Sequence, residues 1–268
     1  MAGSAQSRRL FLNLAMLLLV AGLGGFVWWQ ANQPQQQPDT LISLTRADIT
    51  RIAITRHSGN GKPDIIRLER AGEQWRMLEP VQMPANPARI SQLFTLLDEA
   101  VEASYDAAGK DLQQYGLELP AVSLVLNDVS LLFGAENPVS NKRYILTGGK
   151  IRLVSEAVYG LLNGEALDLV SLKLVPEGRS VKSVSLPEGY ASKAETLRNW
   201  QSADAVRLEK LEGKPDGKQQ VTLALDDGSS RVFVVLPGDG DLVLANEALG
   251  IRYILPETQH SNLFPTGQ

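Results

Sequence analysis

Hydrophobic residues fall along this chain in two patterns, one unbroken run near the start and short alternating runs after it. The unbroken run is Leu10 to Trp29, LFLNLAMLLLVAGLGGFVWW, and Asn13 is its one strongly polar residue. A helix of about twenty residues spans roughly 30 Å, the thickness of a bilayer's hydrocarbon core. Arg8 and Arg9 precede the run, no acidic residue lies ahead of it, and Trp28 and Trp29 close it. Basic flanks stay on the cytoplasmic side and tryptophan favours the membrane interface. The pattern therefore predicts a single transmembrane helix over 10–29, with 1–9 cytoplasmic and everything beyond residue 30 on the far side. A cleaved signal peptide is the alternative, but its apolar region would be about 7 to 15 residues with small residues at the cleavage site. Here the run is longer and ends in Phe26, Val27, Trp28 and Trp29. Ala21 and Gly25 have a spacing that could let a second membrane helix approach.

Gln30 to Asp39, QANQPQQQPD, breaks the apolar run with a polar, proline-stiffened tether. Alternation begins beyond it. Ile52 and Ile54, then Ile66 and Leu68, then Trp75 and Met77 predict a three-stranded antiparallel meander, closed by Pro80 and Pro84. The period then changes. Asn86 can cap a helix with Pro87 in its first turn. Ile90, Leu93, Phe94, Leu97 and Val101 would share one apolar face, with Asp98, Glu99 and Glu102 on the wet side. Period two returns in Val122 to Phe133 around an Asn127-Asp128 turn, and in Arg143 to Val154 around Gly148-Gly149. Ser155 can cap a short helix reaching about Leu162.

The order then repeats. Val181, Val184 and Leu186 predict a strand, and Ser192 with Glu195 has capping-box spacing before a helix bearing Leu197 and Trp200. Hairpins follow around Asp227-Gly228 and Leu249-Gly250, and a short helix runs from Pro256-Glu257 to near Phe264. Arg152-Leu153-Val154-Ser155-Glu156 echoes Tyr253-Ile254-Leu255-Pro256-Glu257. The expectation is an α+β protein, with a transmembrane helix and a 30–40 tether leading to two related modules. These are placed at 41–170 and 171–268, each an antiparallel sheet packed with one or two helices.

Composition narrows the chemistry. Without Arg8 and Arg9 the chain holds 24 Lys plus Arg against 30 Asp plus Glu, a net of −6. That argues against nucleic acid as a partner. There are no cysteines, which excludes disulfides, thiolate metal sites, cysteine nucleophiles and lipoprotein attachment. Gly148-Gly149-Lys150 lacks the rest of a phosphate loop, since Ile151 follows where Ser or Thr is required. Asp226-Asp227-Gly228 lacks the further ligands of a calcium loop and suits a hairpin turn. His57, with Ser58 and Asp64 near it in sequence, has the residue types of a triad but no nucleophile elbow. His260 is the other neutral-pH base, placed near the end of the terminal helix. Asp106, Asp111 and Glu118 are the carboxylates close enough in sequence to consider as an acid–base pair. Tyr115, Tyr144, Trp75 and Trp200 read as core anchors. No residue is assigned a catalytic, cofactor-binding or metal-binding role, and the expectation is a protein that is not an enzyme.

Several pieces together resemble a known bacterial family. They are the N-terminal anchor, Trp75 with Pro80, the helix from Asn86, the stretch Asp111 to Pro120 (DLQQYGLELP), Leu131 to Gly134, and Arg143-Tyr144-Ile145. This layout resembles the domain-of-unknown-function family 4340 over most of 41–165, with a weaker echo in 171–265. The resemblance implies a bacterial inner-membrane protein facing the periplasm. It also implies an accessory role beside an ABC-type transporter, and it supplies no catalytic residues. The expected contacts are the lipid bilayer, through Leu10 to Trp29, and a membrane-protein partner. A tethered cell-envelope enzyme or a lipid- or glycan-binding module are the alternatives. The lipid-binding alternative predicts an apolar pocket of several hundred cubic ångströms between strands and helix.

Overall fold

The computed structural model describes residues 4–31, 40–57 and 61–266, and within the first helix it describes side chains from Met16 to Trp29. Two compact units divide the chain at Asp39 and Thr40. The first contains one helix, α1 (Ser4–Ala31), of 28 residues. Its described apolar side chains are all exposed, with Met16 and Trp28 at 69% and Leu23 at 57%. Among the described residues, no helix is long and apolar enough to cross a membrane. The first part of the expected span, Leu10 to Ala15, lies outside the described side chains, as do Arg8 and Arg9. The tether residues 32–39 lie outside the described residues altogether.

The second unit is α+β and holds two antiparallel sheets with few helices. The meander forms as its alternation predicts, with β1 (Arg51–Arg56), β2 (Asp64–Ala71) and β3 (Gln74–Glu79). A two-residue strand, β4 (Met83–Pro84), adds to β3 where the two prolines were expected to end the sheet. Then come β5 (Ala103–Asp106), β6 (Val122–Leu126), β7 (Val129–Asn137), β8 (Lys142–Thr147) and β9 (Lys150–Ser155). Their order across the sheet is β4-β3-β2-β1-β6-β7-β8-β9-β5. Ile52, Ile54, Ile66, Leu68, Val122, Leu124 and Phe133 bury the inward-facing positions. Asn127 turns the β6–β7 hairpin at φ 53°, and its side-chain oxygen accepts from the Thr50 and Arg51 amides.

The predicted helix over 87–101 is corrected to a shorter one. Helix α2 (Pro87–Leu93) starts as expected, because the Asn86 side-chain oxygen accepts from the Ala88 and Arg89 amides at 3.0 and 3.4 Å. It tightens at Phe94 into a 3-10 turn over Phe94–Asp98. The three-residue period aligns Leu93 with Leu96 and Phe94 with Leu97, and all four are buried. The chain is extended at Glu99, so Val101 lies outside the helix. Ser155 caps a turn rather than a helix: its hydroxyl accepts from the Ala157 amide, and α3 (Tyr159–Asn163) begins later.

The second sheet contains β10 (Val181–Ser185), β11 (Arg207–Lys210), β12 (Gln219–Leu225), β13 (Ser230–Leu236), β14 (Asp241–Asn246) and β15 (Ile251–Pro256). The order is β10-β12-β13-β14-β15-β11. Helix α4 (Ala194–Ser202) packs against β10, and α5 (His260–Leu263) meets α4. The expected Ser192–Glu195 box is displaced by one residue. Lys193 occupies the cap and donates its amide to the Thr196 hydroxyl, which is buried. Trp200 is fully buried, stacks on Phe233 at 6.1 Å and donates its indole N–H to the Leu263 carbonyl at 3.0 Å.

The two sheets share one core cluster, and one segment joins them. Val170 bridges Ala85, Lys173 bridges Asp204, and the Asn86 amide donates to the Leu169 carbonyl. Leu169, Val170, Leu174 and Val175 are buried, so this connection belongs to the interior rather than to a linker.

Candidate functional site

The β2–β3 turn, β3, β4 and α2 build a cleft between them. The β2–β3 hairpin turns at Gly72, φ 65°, and brings Gln74 and Trp75 to the start of β3. The chain returns through Pro84 and Ala85, whose amide donates to the Trp75 carbonyl at 2.8 Å. Pro84 in turn accepts from the Ser171 amide at 2.8 Å, which ties this corner to the connecting segment. Trp75 meets Phe94 edge to face, with ring centroids 5.8 Å apart. The resulting cleft is about 260 Å³, with Trp75, Phe94, Ile90, Pro84 and Pro87 among its walls.

The rim is polar and acidic. Glu73, Gln74, Ser91, Ser171 and Glu177 surround the apolar floor. Glu177 pairs with Lys173 at 3.0 Å, and the hydrogen bond with Glu177 holds the exposed Lys173 ammonium above its ordinary value. The Trp75 indole N–H has no hydrogen-bond partner among the described residues. Read from the sequence as a core anchor, Trp75 packs half-buried against the core cluster and also lines this cleft. The arrangement can receive an apolar group and attract positive charge at its edge through Glu73.

The other candidate residues are placed as follows. His57 and Asp64 line a separate cavity of about 420 Å³ with Arg56, Asn163 and Glu165. Asp64 is engaged by the Arg56 guanidinium, and Ser58 lies outside the described residues. Asp106 accepts from the Ala108 amide, and Asp111 accepts from the Gln113 amide and the Gln114 side chain. Asp106, Asp111 and Glu118 are absent from the walls of the Trp75, His57 and His260 cavities. His260 is exposed, stacks on Phe264 at 5.1 Å, and lines a third cavity of about 510 Å³ with Asp241 and Glu257. Gly148 and Gly149 form the β8–β9 turn with φ 56° and 74°. Asp227 accepts from the Ser229 amide and hydroxyl in the β12–β13 turn. Those bonds hold its exposed carboxyl below the usual value.

The DLQQYGL stretch works as a wedge against β7. Asp111 caps a 3-10 turn over Leu112–Tyr115, and Gly116 ends it with φ 64°. A Cβ on Gly134 would run into the Tyr115 carbonyl and lie 2.9 Å from Leu117. The close approach therefore requires glycine at 134. Tyr115 meets Tyr144 edge to face at 5.0 Å. Sequence reasoning missed what locks this corner. Arg143 donates to the Gly134 carbonyl and grips Glu156 through two bonds of 2.8 and 2.6 Å. Its guanidinium lies 3.5 Å above the Tyr159 ring. The signal available was an arginine at a half-buried strand position thirteen residues before a glutamate.

The model of a family described as Domain of unknown function (DUF4340) matches residues 75–231, more than half of the chain. The matched stretch begins at Trp75 itself and includes the wedge, Arg143 and strands β10, β11 and β12 of the second sheet. No curated protein and no solved structure matches the chain.

Proposed function

The chain belongs to the family described as Domain of unknown function (DUF4340), and from that premise we propose that it is a membrane-anchored interaction module and not an enzyme. The cleft beneath Trp75 carries this reading. Its volume of about 260 Å³ lies under the roughly 300–1,000 Å³ of small-molecule sites. It fits one or two side chains of a protein partner better than a whole free ligand. Apolar floor and polar rim are the arrangement of a protein-recognition hot spot.

Helix α1 supports the membrane half of the reading. A row of exposed apolar side chains from Met16 to Trp29 is unfavourable in water and favourable in lipid. With Arg8 and Arg9 on the cytoplasmic side, the two sheets face the periplasm of a bacterial inner membrane. The partner is a membrane protein, and an ABC-type transporter is the kind that the family resemblance implies.

A photo-crosslinking residue at position 74, on the cleft rim, tests the module in native membranes. The control is the same residue at Asp128, whose side chain is 92% exposed on the β6–β7 turn. The expected outcome is one membrane-protein adduct specific to position 74. Equal adduct patterns from both positions would remove the cleft as an interaction site. Reporter fusions after residue 40 that report a cytoplasmic location would remove the anchor orientation.

A further inference from the structure

We infer that the Trp75 cleft takes an extended, proline-rich segment carrying a basic residue, in the polyproline II conformation. This inference deepens the interaction-module reading and rests on it. Four observations converge on that chemistry. The walls are flat and rigid: Trp75 and Phe94 stand edge to face, and Pro84 and Pro87 flank them. Proline rings pack on such aromatic walls without losing side-chain freedom, because the ring has little to lose. The Trp75 indole N–H has no partner among the described residues. A polyproline II backbone makes no internal hydrogen bonds, so its carbonyls are open to such a donor.

The backbone around the cleft is already committed. Trp75 accepts from Ala85 and Pro84 accepts from Ser171, so a β-strand added here would lack these two carbonyls as ladder partners. A polyproline II segment needs no ladder. The fourth observation is charge. Glu73 has no ion-pair partner among the described residues, whereas Glu177 on the same rim is already paired with Lys173. A lysine or arginine beside the prolines would be drawn to that edge. A helical ligand would present apolar groups every third or fourth residue over a longer groove than this cleft offers.

Fluorescence anisotropy with the full chain in nanodiscs tests the idea. The probe is a labelled decapeptide of prolines ending in two arginines. Two comparison peptides replace the prolines by glycine and alanine or the arginines by glutamate. The expected result is saturable binding of the first peptide. Replacing proline should weaken it about tenfold or more, as losing an interface anchor does, and reversing the charge should also weaken it. Trp75→Phe keeps the apolar wall and removes the donor, and Glu73→Gln removes a rim charge. Each is expected to weaken binding several-fold. Equal binding of all three peptides, or binding untouched by Trp75→Phe, overturns the inference. So does no binding at all. Mass spectrometry of the position-74 adduct separates this failure from that of the broader reading. An adduct to a segment without proline sinks the polyproline assignment and leaves the interaction module standing. Absence of a specific adduct sinks both.

Discussion

Without β2, β3 and β4, the first sheet runs β1-β6-β7-β8-β9-β5, and the second runs β10-β12-β13-β14-β15-β11. The two correspond strand for strand. Each begins with a strand, passes through a helix (α2 or α4), and returns to a far-edge strand. Each then builds two hairpins and closes on a short helix. The difference is β2, β3 and β4, which make β1 an interior strand while β10 remains an edge. The cleft belongs to this difference: Glu73, Gln74, Trp75 and Pro84 all lie in or beside the inserted strands. The strand order common to both sheets carries the shared core, and the strands that only the first sheet has build the cleft.

The comparison breaks most visibly if the halves unfold separately. Trp200 in α4 and Leu93 in α2 are both fully buried in the shared cluster. Trp200→Ala is expected to cost about 4 kcal/mol and Leu93→Ala about 3 kcal/mol, including the cavity left behind. Because Leu169, Val170, Leu174 and Val175 of the connecting segment are buried in the shared cluster, both variants should shift one common urea transition, followed by circular dichroism in detergent micelles. A second transition, moved by Trp200→Ala and not by Leu93→Ala, would show that the two halves are independent domains.

A smaller effect sharpens the comparison at one matched position. The echo between 152–156 and 253–257 places Arg152 of β9 opposite Tyr253 of β15. Both hold a buried polar atom without a hydrogen-bond partner, Arg152 at Nε and Tyr253 at its hydroxyl. The two solutions differ, since Arg152 still donates to the Leu41 carbonyl. Tyr253→Phe should therefore gain about 1 kcal/mol, whereas Arg152→Met should lose stability. Burial pushes the Tyr253 phenol above its ordinary value of 10.0, against the opposing positive charge of Arg231. A raised folded-state pKa gives a contribution that is complete below the unfolded value and is lost as pH rises. Stability should thus fall above pH 10, and less steeply in Tyr253→Phe. Identical alkaline profiles for the two proteins would contradict a buried neutral phenol.

What the sequence disclosed follows the size of each signal. Long alternating strands, the Asn86 cap and the Asn127 turn were legible because each is a local preference that packing did not override. Strands β4, β5 and β11 have two to four residues and were not legible. Ala103 to Asp106 shows no buried alternation at all, and its pairing with β9 is fixed by partners 44 to 50 residues away. Helix α2 could not be separated from its 3-10 extension, since periods of 3.0 and 3.6 share the apolar positions 93, 94 and 97. Trp75 was the costliest ambiguity. Alternation puts it on the same face as Met77, against the core cluster, and only the docking of Phe94 makes it a cleft wall as well.

The smallest expected effect on stability tests the edge itself. β10 pairs with β12 on one side only, an edge that invites strand addition, and three devices oppose it. The register shifts between Val181 and Ser183, so the strand is bulged at Lys182. That residue puts a charge on the edge. Gln201 of α4 accepts from the Val181 amide at 2.7 Å and donates to the Arg179 carbonyl at 2.9 Å, filling the groups that a new strand would use. Its counterpart β1 has an unbroken register with β2 from Arg51 to Arg56, and no such guard. Deleting Lys182 together with Gln201→Ala removes all three devices while leaving the buried Val184 in place. Folding stability should change by less than about 1 kcal/mol, within the span of exposed strand substitutions. Sedimentation velocity should show association rising with concentration beyond that of the unaltered chain. If the altered protein sediments as the original does, the bulge, lysine and glutamine are not guards, and β10 is an edge for some other reason.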